Sequence, residues 1–227
     1  MATAISTDRT RRGGRLRVVG LTALTITIQY FVIEAIVAGA WIDPAYSYVN
    51  NYISDLGAPR CATFADRAVC SPLHALMNAS FLFQAVLVAV AVATLGPRLR
   101  SRGRWLVIIL GSITAIGMAM VGIFPGSVVE DLGSDPLLHG TGAMLAILGG
   151  NLTVLCVGIV ARRGPLLAAG SFVAAAVGLF AVLAQTVFGT DLGLGRGGVE
   201  RLMVNPWLVW AIVVGVLGLV RRRRPHA

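Results

Sequence analysis

Six long apolar segments decide what this chain can fold into. They cover residues 18–41, 74–95, 105–124, 138–161, 165–188 and 203–220. Each has the roughly 17–25 residues that an α-helix needs to cross a bilayer core. Only 13% of the 227 residues are charged, whereas a soluble domain carries about 25%. We therefore predict an all-α fold in which six transmembrane helices form a bundle of three out-and-back hairpins.

The arginines set the expected orientation of this bundle. The net charge is +9, and all of the 19 basic residues are arginine. They concentrate in residues 9–17, 98–104, 162–163 and 221–224. If the six segments alternate in direction, these stretches lie on one side of the membrane, and the positive-inside rule makes both termini cytoplasmic. The expected organisation is a basic tail at 1–17, a membrane domain at 18–220 and a basic tail at 221–227.

The same charges bear on partners and location. Basic segments beside a bilayer are attracted to anionic lipids at the cytoplasmic face. We expect no nucleic acid, because the tails carry no aromatic or base-reading residues. The absence of lysine and the heavy use of Ala, Gly and Val favour a GC-rich bacterial genome, and hence the bacterial plasma membrane.

The longest outer loop, residues 42–73, contains two of the three cysteines. A Cys61–Cys70 disulfide is permitted outside the cytoplasm and would close a short loop that pins this segment. The alternative is a thiolate metal pair, which usually has closer spacing. Cys156 lies inside the fourth span, where we expect a packing residue.

The three outer loops share a short pattern. Each contains Asp-Leu-Gly, at 55–57, 131–133 and 191–193, and ends in a capping residue followed by proline, at 71–72, 135–136 and 205–206. This pairing predicts a helix start after each loop. The repeat fits a duplication of the hairpins, or equally a common need for Asp and Gly in turns.

Longer stretches resemble a known family. They are residues 50–57 (NNYISDLG), 70–74 (CSPLH) with Asn78, 122–125 (GIFP), 139–140 leading to 149–152 (GGNL), and 197–202 (GGVERL). As an ordered set over about residues 20–220, they are similar to the DUF998 family of bacterial and archaeal membrane proteins. The resemblance implies a compact six-span protein with no assigned biochemical function, and it provides no catalytic residues.

Polar residues near the outer face are the candidates for a ligand pocket. Glu34 is the most costly of them, because it lies inside the first span, roughly 10 Å below its outer end at 1.5 Å per residue. It is either a proton carrier, a ligand anchor or a neutral side chain bonded to a neighbouring helix. The other candidates are Asn51, Ser54, Asp55, Asn78, Asp131, Asp191, Glu200 and Arg201.

Two histidines are the candidates for metal binding. His74 and His139 occupy matching outer ends of the second and fourth spans and could bind zinc together with outer aspartates such as Asp55, Asp131 or Asp135. A haem between the two histidines is the least favoured alternative. The plainer interpretation is that each caps or packs a helix end. If they are catalytic, His74 and His139 would act with Asp55.

These features leave three functional hypotheses. The one we favour is a membrane protein that binds a lipid or a membrane-protein partner through an outward-facing polar pocket, because no complete catalytic set can be identified. The first alternative is an intramembrane metal-assisted hydrolase or lipid-modifying enzyme that uses outer His and Asp residues. The second is a small proton-coupled transporter that uses Glu34.

Overall fold

The computed structural model describes residues 2–64, 67–99, 102–126, 135–161 and 164–223, and side chains from residue 13 to residue 222 of these ranges except that of residue 64. The α-helices are α1 Ala2–Ile26, α2 Ile28–Gly39, α3 His74–Leu95, α4 Arg104–Ile123, α5 Pro136–Val160, α6 Pro165–Thr186 and α7 Gly195–Arg223. Short 3-10 helices cover Ser54–Gly57 and Gly96–Arg98, and two strands, β1 Ala62–Phe64 and β2 Arg67–Val69, form an antiparallel hairpin.

Six helical stretches of the described chain are long and apolar enough to span a membrane, which confirms the predicted all-α, six-helix fold. They are span 1 Gly13–Gly39, span 2 His74–Arg98, span 3 Arg104–Ile123, span 4 Pro136–Val160, span 5 Pro165–Thr186 and span 6 Gly195–Arg222. Their bounds agree with the predicted segments within a few residues, except that span 6 begins eight residues before the expected 203.

The six spans form a closed ring. Each contacts the next span along the chain, and span 6 returns to contact span 1. Nη1 of Arg222 donates to the carbonyl of Gly14 at 2.7 Å, so the end of span 6 lies beside the start of span 1. We call the end of the bundle that carries Arg17, Arg98 and Arg222 the arginine end. The opposite end, covered by residues 40–73, is the cap end.

Glycines bring spans 3 and 4 into close contact. A methyl group on Gly117 would lie 2.6 Å from the carbonyl oxygen of Gly142 and would also meet the backbone nitrogen of Ala146. A methyl group on Gly149 would lie 2.8 Å from Oγ1 of Thr114. The packing role predicted for glycines in span 4 is therefore confirmed, since small residues let helix backbones approach within a membrane.

Span 1 is interrupted at Thr27, although neither glycine nor proline stands there. The N–H of Tyr30 donates to the carbonyl of Thr27 at 3.0 Å, which is the tighter three-residue spacing of a 3-10 turn. Nε2 of Gln84 on span 2 donates to Oγ1 of Thr27 at 3.1 Å, and Oγ of Ser80 donates to Oε1 of Gln29 at 2.9 Å. The interruption thus coincides with a polar contact between spans 1 and 2 midway along span 1.

Two of the three proline-marked loops end at a helix start as predicted, but the expected side-chain cap forms at only one of them. Oδ1 of Asp135 accepts from the backbone N–H groups of Leu137 and Leu138 at 2.9 and 3.0 Å, so it caps α5 as expected. Ser71 instead donates its hydroxyl to the carbonyl of Leu56 at 2.6 Å, and α3 begins at His74. Pro206 lies inside α7. At Ser71 a tertiary contact within the cap thus replaces a local capping bond worth about 1 kcal/mol, and the helix start predicted at 205–206 is wrong.

The cap is a compact layer that covers one end of the ring. Its apolar side chains Ile53, Leu56 and Val69 are at most 2% exposed, so they extend the core of the bundle upward. The Cys61–Cys70 disulfide closes the β-hairpin at its base and is confirmed. The cap therefore holds its polar residues in fixed positions above spans 1, 2 and 6.

Candidate functional site

Arg201 on span 6 lies at the centre of a polar cluster beneath the cap. Its Nε and Nη2 atoms lie 2.9 and 2.8 Å from Oε1 of Glu34 on span 1. Its Nη2 also donates to the hydroxyl of Tyr46 at 2.5 Å, and its Nη1 donates to the carbonyls of Tyr48 and Gly197 at 3.1 and 3.0 Å. The side chain of Arg201 is 13% exposed and that of Glu34 is 5% exposed. The most costly residue of the first span is thus half of a buried ion pair.

The local sequence explains why the loop comes so close to span 6. A methyl group on Gly197 would lie 2.7 Å from the carbonyl oxygen of Tyr48 and would also meet that of Asn51, so only glycine fits beneath the loop. The rings of Tyr46 and Tyr48 then pack against the guanidinium of Arg201, with ring centroids 5.5 and 4.6 Å from its central carbon. Burial raises the pKa of both phenols, so each tyrosine stays neutral and Tyr46 can both accept and donate.

Asp55 belongs to a second ion pair inside the cap. Nε and Nη2 of Arg67 bind its two carboxylate oxygens at 2.8 and 2.9 Å in a bidentate arrangement. The N–H of Tyr52 donates to Asp55 at 2.9 Å, and Nδ2 of Asn51 lies 3.4 Å from the same carboxylate. The β-hairpin supplies Arg67, so this pair fixes the hairpin to the loop that precedes it.

Three further candidates lie along the boundary between the cap and the spans. Oε2 of Glu200 accepts from the N–H of Ile53 at 2.5 Å, and Nδ2 of Asn78 donates to the carbonyl of Gly57 at 2.9 Å. Ser54 and Glu200 line a small cavity of about 40 Å³, together with His139 and mostly apolar side chains. About 10–15 Å³ of such solvent-accessible space holds one water, so this cavity has room for about three waters.

Each predicted histidine ligand faces a different backbone carbonyl. Nδ1 of His74 lies 3.1 Å from the carbonyl of Ser71, and Nδ1 of His139 lies 2.8 Å from that of Phe124. Within the described residues, no three His, Cys, Asp or Glu side chains are arranged to hold a metal ion. Asp131 lies outside the described residues, so zinc or haem binding stays a prediction, which elemental analysis of the wild-type protein beside His139→Ala would test.

Asp191, the remaining candidate, is exposed in the loop before span 6. Its Oδ1 accepts from the N–H of Gly193 at 3.0 Å, as expected for an aspartate that shapes a turn. Within the described chain, the candidates Glu34, Asn51, Asp55, Glu200 and Arg201 come together at the cap end, while Asp191 accepts hydrogen bonds from within its own turn. Sequence reasoning missed Tyr46, Tyr48 and Arg67, although all three lie in the loop singled out as the longest.

A much larger cavity lies in the other half of the bundle. It occupies about 520 Å³ inside the ring, and all six spans contribute to its lining. On span 1 the lining runs from Arg17 to Thr27, which is about 15 Å at 1.5 Å per residue. Gln84 lines it near the middle of the bundle, and Arg17 and Arg98 line it at the arginine end, which we call its mouth. Between these polar residues, the lining is mainly Leu, Val and Ala with the indoles of Trp207 and Trp210.

Sequence reasoning missed this cavity altogether. Small residues that it interpreted as helix-packing contacts, such as Gly150 on span 4, also border the open space. Several lining positions recur at helical spacing on span 2. In the sequence, however, an apolar helix face has the same pattern whether it packs against a neighbouring helix or borders a cavity.

Comparison with known proteins gives a family and no assigned activity. No curated protein and no solved structure matches the chain. The model of one family, described as "Protein of unknown function (DUF998)", matches residues 26–217, which include the cap and most of all six spans. The chain belongs to the DUF998 family.

Proposed function

We propose that this protein binds a membrane lipid whose acyl chain occupies the large cavity at the arginine end. The observation that carries the proposal is the cavity itself, about 520 Å³ of half-open space that all six spans line. Sites for small organic ligands have volumes of about 300–1,000 Å³ and are mostly apolar with a few polar groups.

An empty cavity of this size would be costly. Unfilled space beside a mainly aliphatic lining leaves those side chains without packing partners on one side, which is unfavourable. Water is a poor filler, because ordered water needs two to four polar partners and most of the lining is aliphatic. An acyl chain packs against the aliphatic lining and needs no polar partner.

The depth of the cavity also fits a lipid. It runs about 15 Å along span 1, from Arg17 to Thr27. This is half of the roughly 30 Å hydrocarbon thickness of a bilayer, the depth that one leaflet occupies. An acyl chain that enters from the leaflet at the arginine end would reach the polar contact between Thr27 and Gln84 at the midplane.

The cap end offers less to a lipid than we expected from the sequence. Four of its charged residues bind one another in the pairs Glu34–Arg201 and Asp55–Arg67. The small cavity beneath the cap has about 40 Å³ of space. We therefore propose that the cap stabilises the bundle and that the lipid binds at the arginine end, not in an outward-facing pocket.

The test uses the two indoles that line the cavity. In a Trp41→Phe/Trp105→Phe background, Trp207 and Trp210 are the remaining tryptophans. Purified protein in non-ionic detergent is titrated with a phospholipid that has brominated acyl chains, which quench indole fluorescence on contact. We expect saturable quenching at about one lipid per protein, and native mass spectrometry should find the same stoichiometry of co-purified lipid.

A cavity-filling variant and its matched control decide the outcome. Ala91 is buried and lines the cavity, whereas Ala93 is on the exposed side of the same helix. Ala91→Phe should reduce quenching at least several-fold, and Ala93→Phe should leave it unchanged. Ala211→Phe, on span 6, gives a second blocked variant if the first is unstable. Equal quenching in the two blocked variants and the control would overturn the proposal.

A further inference from the structure

We infer that the bound lipid carries an anionic, phosphate-bearing headgroup, held between Arg17 and Arg98 at the mouth of the large cavity. This inference rests on the proposed function and specifies the ligand that the cavity takes. Both arginines border the cavity, one on span 1 and the other at the end of span 2.

The two arginines meet the cavity from different directions. Arg98 ends the short 3-10 helix that follows α3 and is half-buried, and its Nη1 donates to the carbonyl of Thr94, which fixes its guanidinium at the end of span 2. Arg17 lies on the first turns of span 1 and is exposed. A guanidinium has five N–H donors, so Arg98 keeps donors for a ligand beyond the one bond to Thr94.

The distribution of charge selects the sign of the headgroup. Among the side chains that the structure describes, the carboxylates belong to Glu34, Asp43, Asp55, Asp135, Asp191 and Glu200. All six lie at the cap end, the opposite end from the cavity mouth. Guanidinium groups bind phosphate oxygens bidentately, and such charge-assisted bonds are about twice as strong as neutral ones. The mouth therefore attracts a phosphate.

Two positive charges at one mouth also discriminate among phospholipids. A zwitterionic headgroup brings an ammonium within a few ångströms of its phosphate, and Arg17 and Arg98 would repel it. A headgroup with phosphate as its only charge meets attraction alone. Each basic residue near a membrane surface raises the binding constant for anionic lipid by about five-fold.

The experiment compares two brominated lipids with the same acyl chains in the same tryptophan background. We expect the quenching of Trp207 and Trp210 to reach half its maximum at a concentration at least ten-fold lower for brominated phosphatidylglycerol than for brominated phosphatidylcholine. Arg17→Gln/Arg98→Gln should remove this preference while the acyl chain still quenches. Arg15→Gln, an exposed arginine of the same helix that does not line the cavity, should keep the preference. The charge-conserving Arg17→Lys/Arg98→Lys should restore part of it.

The outcomes separate this inference from the proposed function. Strong and equal quenching by both lipids would overturn the headgroup assignment and leave lipid binding intact. If neither lipid quenched the two indoles, the proposed function would be overturned. Glycerol phosphate at the same concentration distinguishes a lipid headgroup from free phosphate. If it displaced phosphatidylglycerol fully, the site would be one for a soluble phosphate and the inference would fail.

Discussion

Arg201 and Glu34, 167 residues apart in the chain, form an ion pair of 2.8 Å that joins the first and last spans. It closes the ring of helices at the cap end, where Arg201 also holds the loop through the carbonyl of Tyr48. Removing one partner of a buried pair leaves an uncompensated charge, at a cost of about 3–5 kcal/mol.

We therefore predict that Arg201→Leu lowers the free energy of unfolding by about 3–5 kcal/mol. Glu34→Leu should also destabilise the protein, and the double variant should lose less than the sum of the two, because it leaves neither charge unpaired. Equilibrium unfolding in mixed micelles, followed by far-ultraviolet circular dichroism, measures this cycle. The exposed Asp191→Asn is the control, and additive effects at positions 34 and 201 would contradict the pairing.

The disulfide predicts a local effect of reduction. Closing a loop of about ten residues stabilises by about 2–3 kcal/mol in the chain-entropy treatment. Reduction, or Cys61→Ser with Cys70→Ser, should loosen the hairpin and expose the bonds after Arg60 and Arg67 to trypsin, with the six spans left helical. Mass mapping of a trypsin time course measures this. Cys156→Ser should behave as the wild type, and equal cleavage rates before and after reduction would refute the role of the bridge.

Close packing of spans 3 and 4 predicts different costs for two glycine substitutions. Gly117→Ala places a methyl group against the backbone of span 4 and should destabilise by about 1–3 kcal/mol, since backbone cannot rotate away. Gly140→Ala meets nothing within 4 Å and should be neutral or stabilise by up to about 1 kcal/mol. Unfolding midpoints in detergent compare the two. Equal effects would show that the helices are not in tight contact at Gly117.

The orientation of the bundle is a prediction that labelling can test. In a Cys156→Ser background, Asp191→Cys and Arg102→Cys place single exposed thiols at the cap end and at the arginine end. The positive-inside rule predicts that a membrane-impermeant maleimide labels position 191 in intact cells and position 102 only after permeabilisation. The reverse pattern would invert the assigned topology and move the proposed lipid to the other leaflet.

Several features of this fold were accessible from the sequence because they depend on local composition. The six spans follow from apolar runs of sufficient length, since no soluble alternative can bury them. The disulfide follows from two cysteines in one loop on the expected outer side. The capping of the α5 N-terminus by a side chain follows from Asp135 and the proline after it.

Other local signals failed where the cap imposed its own geometry. Pro206 lies inside α7 because the loop after Asp191 already turns into the helix at Gly195, which has a φ of +72°. Ser71 donates its hydroxyl to Leu56, a contact 15 residues away in the chain. A cap residue contributes about 1 kcal/mol, and burial of the loop against the spans outweighs it.

The sequence by itself determined that this protein is a bundle of six membrane helices, because apolar content and segment length add up residue by residue. Only the tertiary structure decided that Glu34 pairs with Arg201 and that the six spans line a half-open cavity bordered by Arg17 and Arg98. The physical reason is the solvent. Lipid tails are as apolar as leucine, so an apolar side chain has the same identity in the sequence whether it faces lipid, another helix or an open cavity.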